Sequence, residues 1–238
     1  MNSKEPYSLI KTLTALILAA LCLFAANWQY GRGVDRHAKN FKIEANTKLE
    51  AVDLTSLISL TEGSSRSALI ENEWRTVTVI GKFNKNHEVL LRNRYNDDGK
   101  YGYEYLTLFE SGGKSFWIDR GWVKAGESAL ARPKIPNTPK DQIELTGRIR
   151  LDNSLPRGSF FALPASGKLI NSWNLKSKVK TEEFYLDLIS GPEVTPDTPA
   201  ELPELSDGPH MAYALQWIFF AGLILYGRYL IRKPIYNN

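Results

Sequence analysis

Three histidines are the side chains of this sequence best suited to binding a metal or moving a proton near neutral pH. His87 lies in a polar stretch that predicts a solvated hairpin loop. His37 and His210 flank two apolar segments, so they could approach each other at one end of those segments. The only methionines are Met1 and Met211, which does not support a copper site built from sulfur ligands.

Sequence patterns typical of enzymes are missing. The chain has no Gly-rich phosphate loop and no nucleophile elbow. Its one cysteine, Cys22, lies inside an apolar segment, where it cannot act as an exposed nucleophile. The pair Asp97 and Asp98 stands in an Asn-Asp-Asp-Gly sequence, which is more typical of a turn than of acid–base catalysis. We therefore expect a protein that is not an enzyme.

Any site that contains His37 and His210 is positioned by the two apolar segments that these histidines flank. Residues 13–30 and 211–231 are each long enough to cross a hydrocarbon core of about 30 Å. The first segment ends in Trp28 and Tyr30, which suit a membrane interface, and its small-residue pattern fits signal-peptide cleavage poorly. The second is apolar or aromatic on every face, which favours a span over a buried core helix. The pattern predicts two transmembrane helices.

Charge around the second segment predicts the orientation. No lysine or arginine occurs between Lys180 and Met211, whereas three follow within or just after the span. By the positive-inside rule the C-terminus is cytoplasmic, and two spans place the N-terminus there as well. Residues 1–12 and 232–238 are then cytoplasmic tails, and residues 31–190 form an extracytoplasmic domain.

The middle region has mostly a period of two, which is typical of strands. It predicts a mainly antiparallel β domain, a small sheet or barrel, with few helices. Helices are expected only over residues 34–48 and 64–70. The expected strands cover residues 75–83, 87–94, 101–109, 115–123, 142–151 and 184–189.

Charge is distributed unevenly along the chain. Residues 31–181 hold 25 basic and 17 acidic side chains, whereas residues 182–209 hold eight acidic ones and no basic one. The basic surplus could attract anionic lipid, a propionate-bearing cofactor or an acidic partner, and export excludes nucleic acid. Residues 191–210 also carry five prolines, so we expect an acidic tether that returns the chain to the membrane.

A set of residues occurs in a fixed order over nearly the whole chain. It consists of Trp28, Gln29, Arg32, Arg75–Gly81, Phe83, Gly102, Tyr103, Leu108, Asp119–Val123, His210, Tyr213, Ala214 and Trp217. In this order, between two spans, the set resembles the surfeit locus protein 1 family of cytochrome c oxidase assembly factors. Asp119 and Lys124 stand where that family usually has Asn and Pro. These departures indicate a divergent bacterial member of the family. We expect it to be located in the cell membrane.

The resemblance implies a non-catalytic assembly factor that assists insertion of haem a into the catalytic subunit of the oxidase. Haem a would then be a transient cofactor, and enzymes of haem a synthesis a further class of partner. An alternative is a membrane-tethered, extracytoplasmic scaffold that binds protein without a cofactor. Stoichiometric haem that is lost on replacing His210 would distinguish the two.

Within that resemblance, His210 is the expected ligand of the haem iron, since imidazole is a standard axial ligand. Tyr213 and Trp217 follow three and seven residues later, on the same helical face. Arg32 and Arg36 are the expected partners of the porphyrin propionates.

Arg120 and Trp122 have two possible roles. Both residue types are common at interface hot spots, so they could contact the oxidase subunit. The favoured interpretation is structural, with Gly121 allowing a bulge and Trp122 well buried in the sheet together with Val77, Val79 and Leu106.

Overall fold

The computed structural model describes residues 6–59, 65–96, 98–127, 131–152, 169–200 and 202–232. The chain divides into two compact units. One contains residues 1–41 and 205–238, and the other contains residues 42–204. Each unit is described by itself below.

Six strands of residues 42–204 form one sheet. They are β1 (Val52–Asp53), β2 (Thr76–Tyr95), β3 (Tyr101–Ser111), β4 (Lys114–Lys124), β5 (Ile143–Leu151) and β6 (Phe184–Ser190). Their order is β1-β2-β3-β4-β6-β5, and β5 also pairs with β2, which closes the sheet into a barrel. Most pairs are antiparallel, as expected, whereas β1–β2 and β4–β6 are parallel. The predicted fold class is confirmed.

The barrel encloses an apolar core whose side chains alternate along the strands. Val77 and Val79 of β2 are almost fully buried, as predicted from their β-branched alternation. Phe109, Phe116 and Phe184 stack through the centre, with ring centroids 5.8 and 5.1 Å apart. These aromatic contacts join β3, β4 and β6 across the interior.

One strand boundary was predicted wrongly. The polar residues 84–86 read as a turn between two strands, but β2 runs through them as one strand. The ladder with β3 shifts register between Asn84 and Glu88, so the extra residues form an irregularity and not a reversal. His87 therefore lies in a strand and not in a hairpin loop. Between β3 and β4 the chain turns at Gly112–Gly113, where both glycines have positive φ.

Helices in this unit are short and cover the barrel. They are α2 (Leu54–Ser59), α3 (Ser65–Glu71) and α4 (Leu169–Ser177). The first two contribute Leu54 and Leu69 to the central core. The third, α4, was not predicted; its Trp173 packs edge-on against Trp117 and Tyr185 at centroid distances of 6.3 and 5.3 Å. It covers a second apolar cluster on the outer face of the sheet.

The other unit contains most of α1 (Ser8–Lys48), up to Phe41, and all of α5 (His210–Arg232). Both are long and apolar enough to cross a membrane. Helix α1 continues through residues 34–48, as predicted. The buried positions of α1 are small residues spaced four and three apart, namely Ala15, Ala19, Cys22 and Ala26. In α5, Ala214 and Ala221 are buried seven residues apart, and Ala19, Cys22 and Ala221 form one cluster.

This spacing has a direct physical meaning. A repeat of about 3.5 residues keeps one seam facing the partner helix, and small side chains let two backbones approach closely. The two apolar helices therefore pack as neighbours along a seam of small residues. Their other faces expose large apolar side chains such as Phe24 and Phe219, which suits contact with lipid.

A charged residue closes this seam at its far end. Arg228 is only 9% exposed although it lies inside an apolar helix. Its guanidinium donates to the hydroxyl oxygen of Thr12 at 3.0 Å and to the carbonyl and hydroxyl oxygens of Ser8 at 3.0 and 2.9 Å. Polar groups within a span are costly unless they are paired, so these hydrogen bonds fix the register of α1 against α5.

We expect a disulfide to form readily across this seam. The sequence has one cysteine, so Ala221→Cys gives a protein with a single possible pair, Cys22 and the new thiol. Mild oxidation should remove most of the thiols that maleimide labels after denaturation. Phe219→Cys is the matched control, because Phe219 is 61% exposed on another face of α5. Equal disulfide yields in the two variants would contradict the packing of the seam.

Candidate functional site

The start of α5 is held against α1 by a histidine. His210 is half-buried, and its Nδ1 lies 2.9 Å from the amide oxygen of Gln29. An amide oxygen only accepts, so Nδ1 carries the proton and the basic electron pair of the neutral ring is on Nε2. This is the tautomer that a histidine needs to coordinate a metal through Nε2.

Gly33 permits this close approach. A Cβ on Gly33 would lie 3.1 Å from Cε of Met211 and 3.4 Å from Cβ of His210. A side chain at this position would require the end of the Met211 side chain to shift by a few tenths of an ångström. Gln29 and Gly33 are four residues apart on α1, so one stripe of that helix both spaces and orients His210.

The segment before α5 is tied to α1 by a second set of contacts. The carboxylate of Asp207 accepts from His37 Nδ1 at 2.8 Å and from Asn40 at 2.9 Å. The hydrogen bond from His37, followed by that from Asn40, lowers the pKa of Asp207 below its ordinary value. Arg36 Nε donates to the carbonyl of Ser206 at 3.2 Å.

The structure locates the other predicted cofactor residues as follows. His37 and His210 have separate partners, Asp207 and Gln29. Arg36 is half-buried and holds the segment before α5, whereas Arg32 is exposed. Tyr213 and Trp217 are 47% and 36% exposed, and both follow His210 at spacings that keep them on its side of α5. The roles of these residues toward haem stay predictions.

In the barrel, the Asp-Arg-Gly-Trp motif forms a bulge in β4. Glu104 of β3 pairs with Trp122, but Leu106 pairs with Asp119, so β4 contains one extra residue. Gly121 takes φ +90° there, and its N–H donates to the side chain of Asp119 at 2.9 Å. A Cβ on Gly121 would overlap the carbonyl oxygen of Thr198, which accepts from the N–H of Trp122 at 3.1 Å. The motif thus binds the returning chain.

Trp122 is less buried than predicted. It is only half-buried, whereas Val77, Val79 and Leu106 are buried as expected. The bulge places its ring over the backbone of Gly102, where no side chain would fit, and its indole N–H donates to the carbonyl of Arg94 at 3.3 Å. An aromatic ring over a strand glycine replaces the missing side chain. We therefore expect truncation to cost less than the loss of a fully buried tryptophan.

Arg120 points inward and is 4% exposed, so its guanidinium offers little contact surface to a partner protein. It lies 5.0 Å from the ring centroids of both Phe83 and Tyr105. Its side chain donates to the hydroxyl of Thr138 at 2.7 Å and to the carbonyl of Asn137 at 2.8 Å. Burial lowers the pKa of Arg120. The arginine therefore fixes the chain that follows β4.

A metal centre of the usual kind is missing from the described ranges. No group of three or more histidine, cysteine, aspartate or glutamate side chains there could hold a metal ion.

Two helices long and apolar enough to cross a membrane, with a closed, mainly antiparallel barrel between them in sequence, define a membrane-associated barrel protein. The chain belongs to the SURF1 family, whose profile matches residues 16–222. Uncharacterized SURF1-like proteins of Mycobacterium bovis and Mycobacterium tuberculosis are 27% identical to it over 228 residues. The matches cover 91% of this chain and 80% of each relative. Membership implies a role in cytochrome c oxidase assembly, and the family is known for assembly factors and not for enzymes.

We expect Gly121→Ala to destabilise the barrel domain strongly. An alanine at φ +90° is strained, and its Cβ would overlap the Thr198 carbonyl. The loss of unfolding free energy should be about 3 kcal/mol or more. Gly113→Ala is the control, because Gly113 has φ +77° but nothing within 4 Å of its Cβ position. It should cost about 1 kcal/mol. Chemical unfolding of the purified protein in detergent measures both, and similar losses would contradict the role of Thr198.

Proposed function

We propose that this protein assists cytochrome c oxidase assembly by handling haem a, which His210 ligates and which is passed to the catalytic subunit of the oxidase. The observation that carries the proposal is the contact between His210 Nδ1 and the Gln29 amide oxygen. It fixes the tautomer and orientation in which Nε2 can act as a ligand. Haem a is cargo in this proposal and not a permanent cofactor.

The surroundings of His210 suit a large planar group with acidic ends. Tyr213 and Trp217 follow it on one face and are partly exposed, so their rings are accessible to a flat apolar macrocycle. Arg32 is exposed beyond the first span, and its guanidinium matches a propionate in charge and geometry. Arg36 is the second expected propionate partner, although it already donates to Ser206.

The membrane arrangement supports the same role. With both termini cytoplasmic and residues 31–190 extracytoplasmic, His210 would begin its span at the outer membrane surface. A hydrophobic cargo such as haem a could be transferred there without crossing bulk water. The expected partners are the catalytic subunit of the oxidase, membrane lipid and enzymes of haem a synthesis.

We expect His210→Ala to fold and insert but to bind haem a about a hundredfold more weakly, because it removes the iron ligand. Gln29→Leu, which keeps His210 but removes the oxygen that orients it, should weaken binding about tenfold. Titration of the purified protein with haem a, followed by visible absorption, measures both changes.

His87→Ala is the matched control, because His87 lies in β2 of the barrel. It should bind haem a as the wild type does. In cells, His210→Ala should lower the haem content of the oxidase more than the amount of its subunit protein. Wild-type affinity in the His210 variant would contradict ligation and would favour the alternative, a scaffold that binds protein without a cofactor.

We expect the barrel domain to lie on the outer side of the membrane. Protease added to sealed inverted vesicles should leave residues 31–190 intact, because positive charge following the second span keeps both termini cytoplasmic. Opening the vesicles with detergent provides the control for protease activity. Digestion of the domain in sealed inverted vesicles would show that the domain faces the cytoplasm, and it would contradict the predicted orientation.

A further inference from the structure

The barrel domain carries a groove that the proposed haem site does not use. Its volume is about 610 Å³, far more than a single bound ion requires. One wall is the irregular part of β2, and the other is formed by extended residues 132–140, which precede β5. The lining residues are Lys85, Glu88, Arg132, Pro133, Ile135, Pro136, Asn137, Thr138 and Lys140.

The floor of this groove is fixed from beneath by Arg120. Two lining residues, Asn137 and Thr138, accept hydrogen bonds from its guanidinium at 2.8 and 2.7 Å. The guanidinium is itself held between the rings of Phe83 and Tyr105. An extended chain without sheet partners would otherwise be poorly ordered. Arg120 therefore gives the groove a defined shape.

The groove carries an excess of positive charge. Lys85, Arg132 and Lys140 are exposed on its walls, and Arg120 lies buried directly behind it. Among the lining residues, Glu88 supplies the one carboxylate, which accepts from the hydroxyl of Tyr105 at 2.5 Å and from Arg132 at 3.3 Å. Four cations thus stand against one anion.

The buried charge of Arg120 also contributes to the positive charge of the groove. The three hydrogen bonds of Arg120 go to uncharged oxygens of Tyr105, Thr138 and Asn137. Arg120 is 4% exposed, so its charge is poorly solvated, and this burial lowers the pKa of Arg120. A buried charge is weakly screened, so it adds to the positive potential of the groove above it.

We propose that this groove binds an acidic, extended segment of a partner protein. The cations of the groove are exposed, so the groove is open to solvent. An open groove suits a segment of a macromolecule better than a small molecule, which usually binds in an enclosed pocket. Three exposed cations on the two walls can pair with several carboxylates along one peptide. Ile135 and Pro136 offer apolar contact between those charges. This inference does not depend on haem binding.

The test uses the full chain in a non-ionic detergent and a fluorescent oligoglutamate peptide, with binding followed by anisotropy at low salt. The triple variant Lys85→Gln, Arg132→Gln and Lys140→Gln removes the three exposed cations. Its affinity should fall about tenfold, since each exposed ion pair contributes modestly. Added salt should reduce wild-type binding toward the level of the variant.

The matched control removes the same charge elsewhere, by changing Lys176, Lys178 and Lys180 to Gln. These exposed lysines lie in and just after α4, which packs on the outer cluster around Trp117. The control should change affinity less than about twofold, and His210→Ala should bind the peptide as the wild type does.

Equal losses in both triple variants, or no loss in either, would overturn the proposal. Binding of phosphatidylglycerol vesicles through the three groove cations, with no binding of the peptide, would overturn it in favour of a lipid headgroup site. Competition by inorganic phosphate at concentrations that leave ionic strength unchanged would instead indicate a site for a single anion.

Discussion

Closure of the barrel depends on one long strand, β2, which serves two neighbours in succession. Residues 76–81 pair with β5, and residues 82–95 pair with β3. The register shifts between Asn84 and Glu88, shortly after this change of partner, and an irregularity of this kind bends a strand and increases its twist. The same irregularity places Lys85 and Glu88 on the wall of the basic groove. Fold closure and the groove therefore share one distortion of the backbone.

Much of the fold follows from short-range patterns. Alternating β-branched residues such as Val77 and Val79 identify a strand with one buried face, and the structure buries both. The two long apolar helices are evident because about twenty apolar residues in a row suffice to identify a segment that could cross a bilayer, whatever their order. The Gly112–Gly113 turn is equally local, since both residues need positive φ. These features depend on neighbours along the chain.

The parts that could not be predicted depend on neighbours in space. Residues 84–86 look like a turn, and only pairing with β3 shows that β2 continues. An arginine is usually exposed, so the burial of Arg120 between two aromatic rings has no local signal. The pairing of His210 with Gln29 depends on the register of two helices separated by the whole barrel sequence. The sequence shows a Trp-Gln pair at the end of one apolar segment and a histidine at the start of the next, but it does not show that Gln29 and His210 are in contact.

The buried Arg228 can reach its hydrogen-bond partners only late in biosynthesis. Its partners, Ser8 and Thr12, precede it by 220 and 216 residues. Chains emerge from the ribosome N-terminus first, so the whole of residues 42–204 is made before this contact can form. Until then the Ser8 and Thr12 hydroxyls lack that partner, and α5 does not yet cover the seam of α1. The hydrogen bonds of Arg228 therefore form only in a molecule that has been synthesised as far as α5.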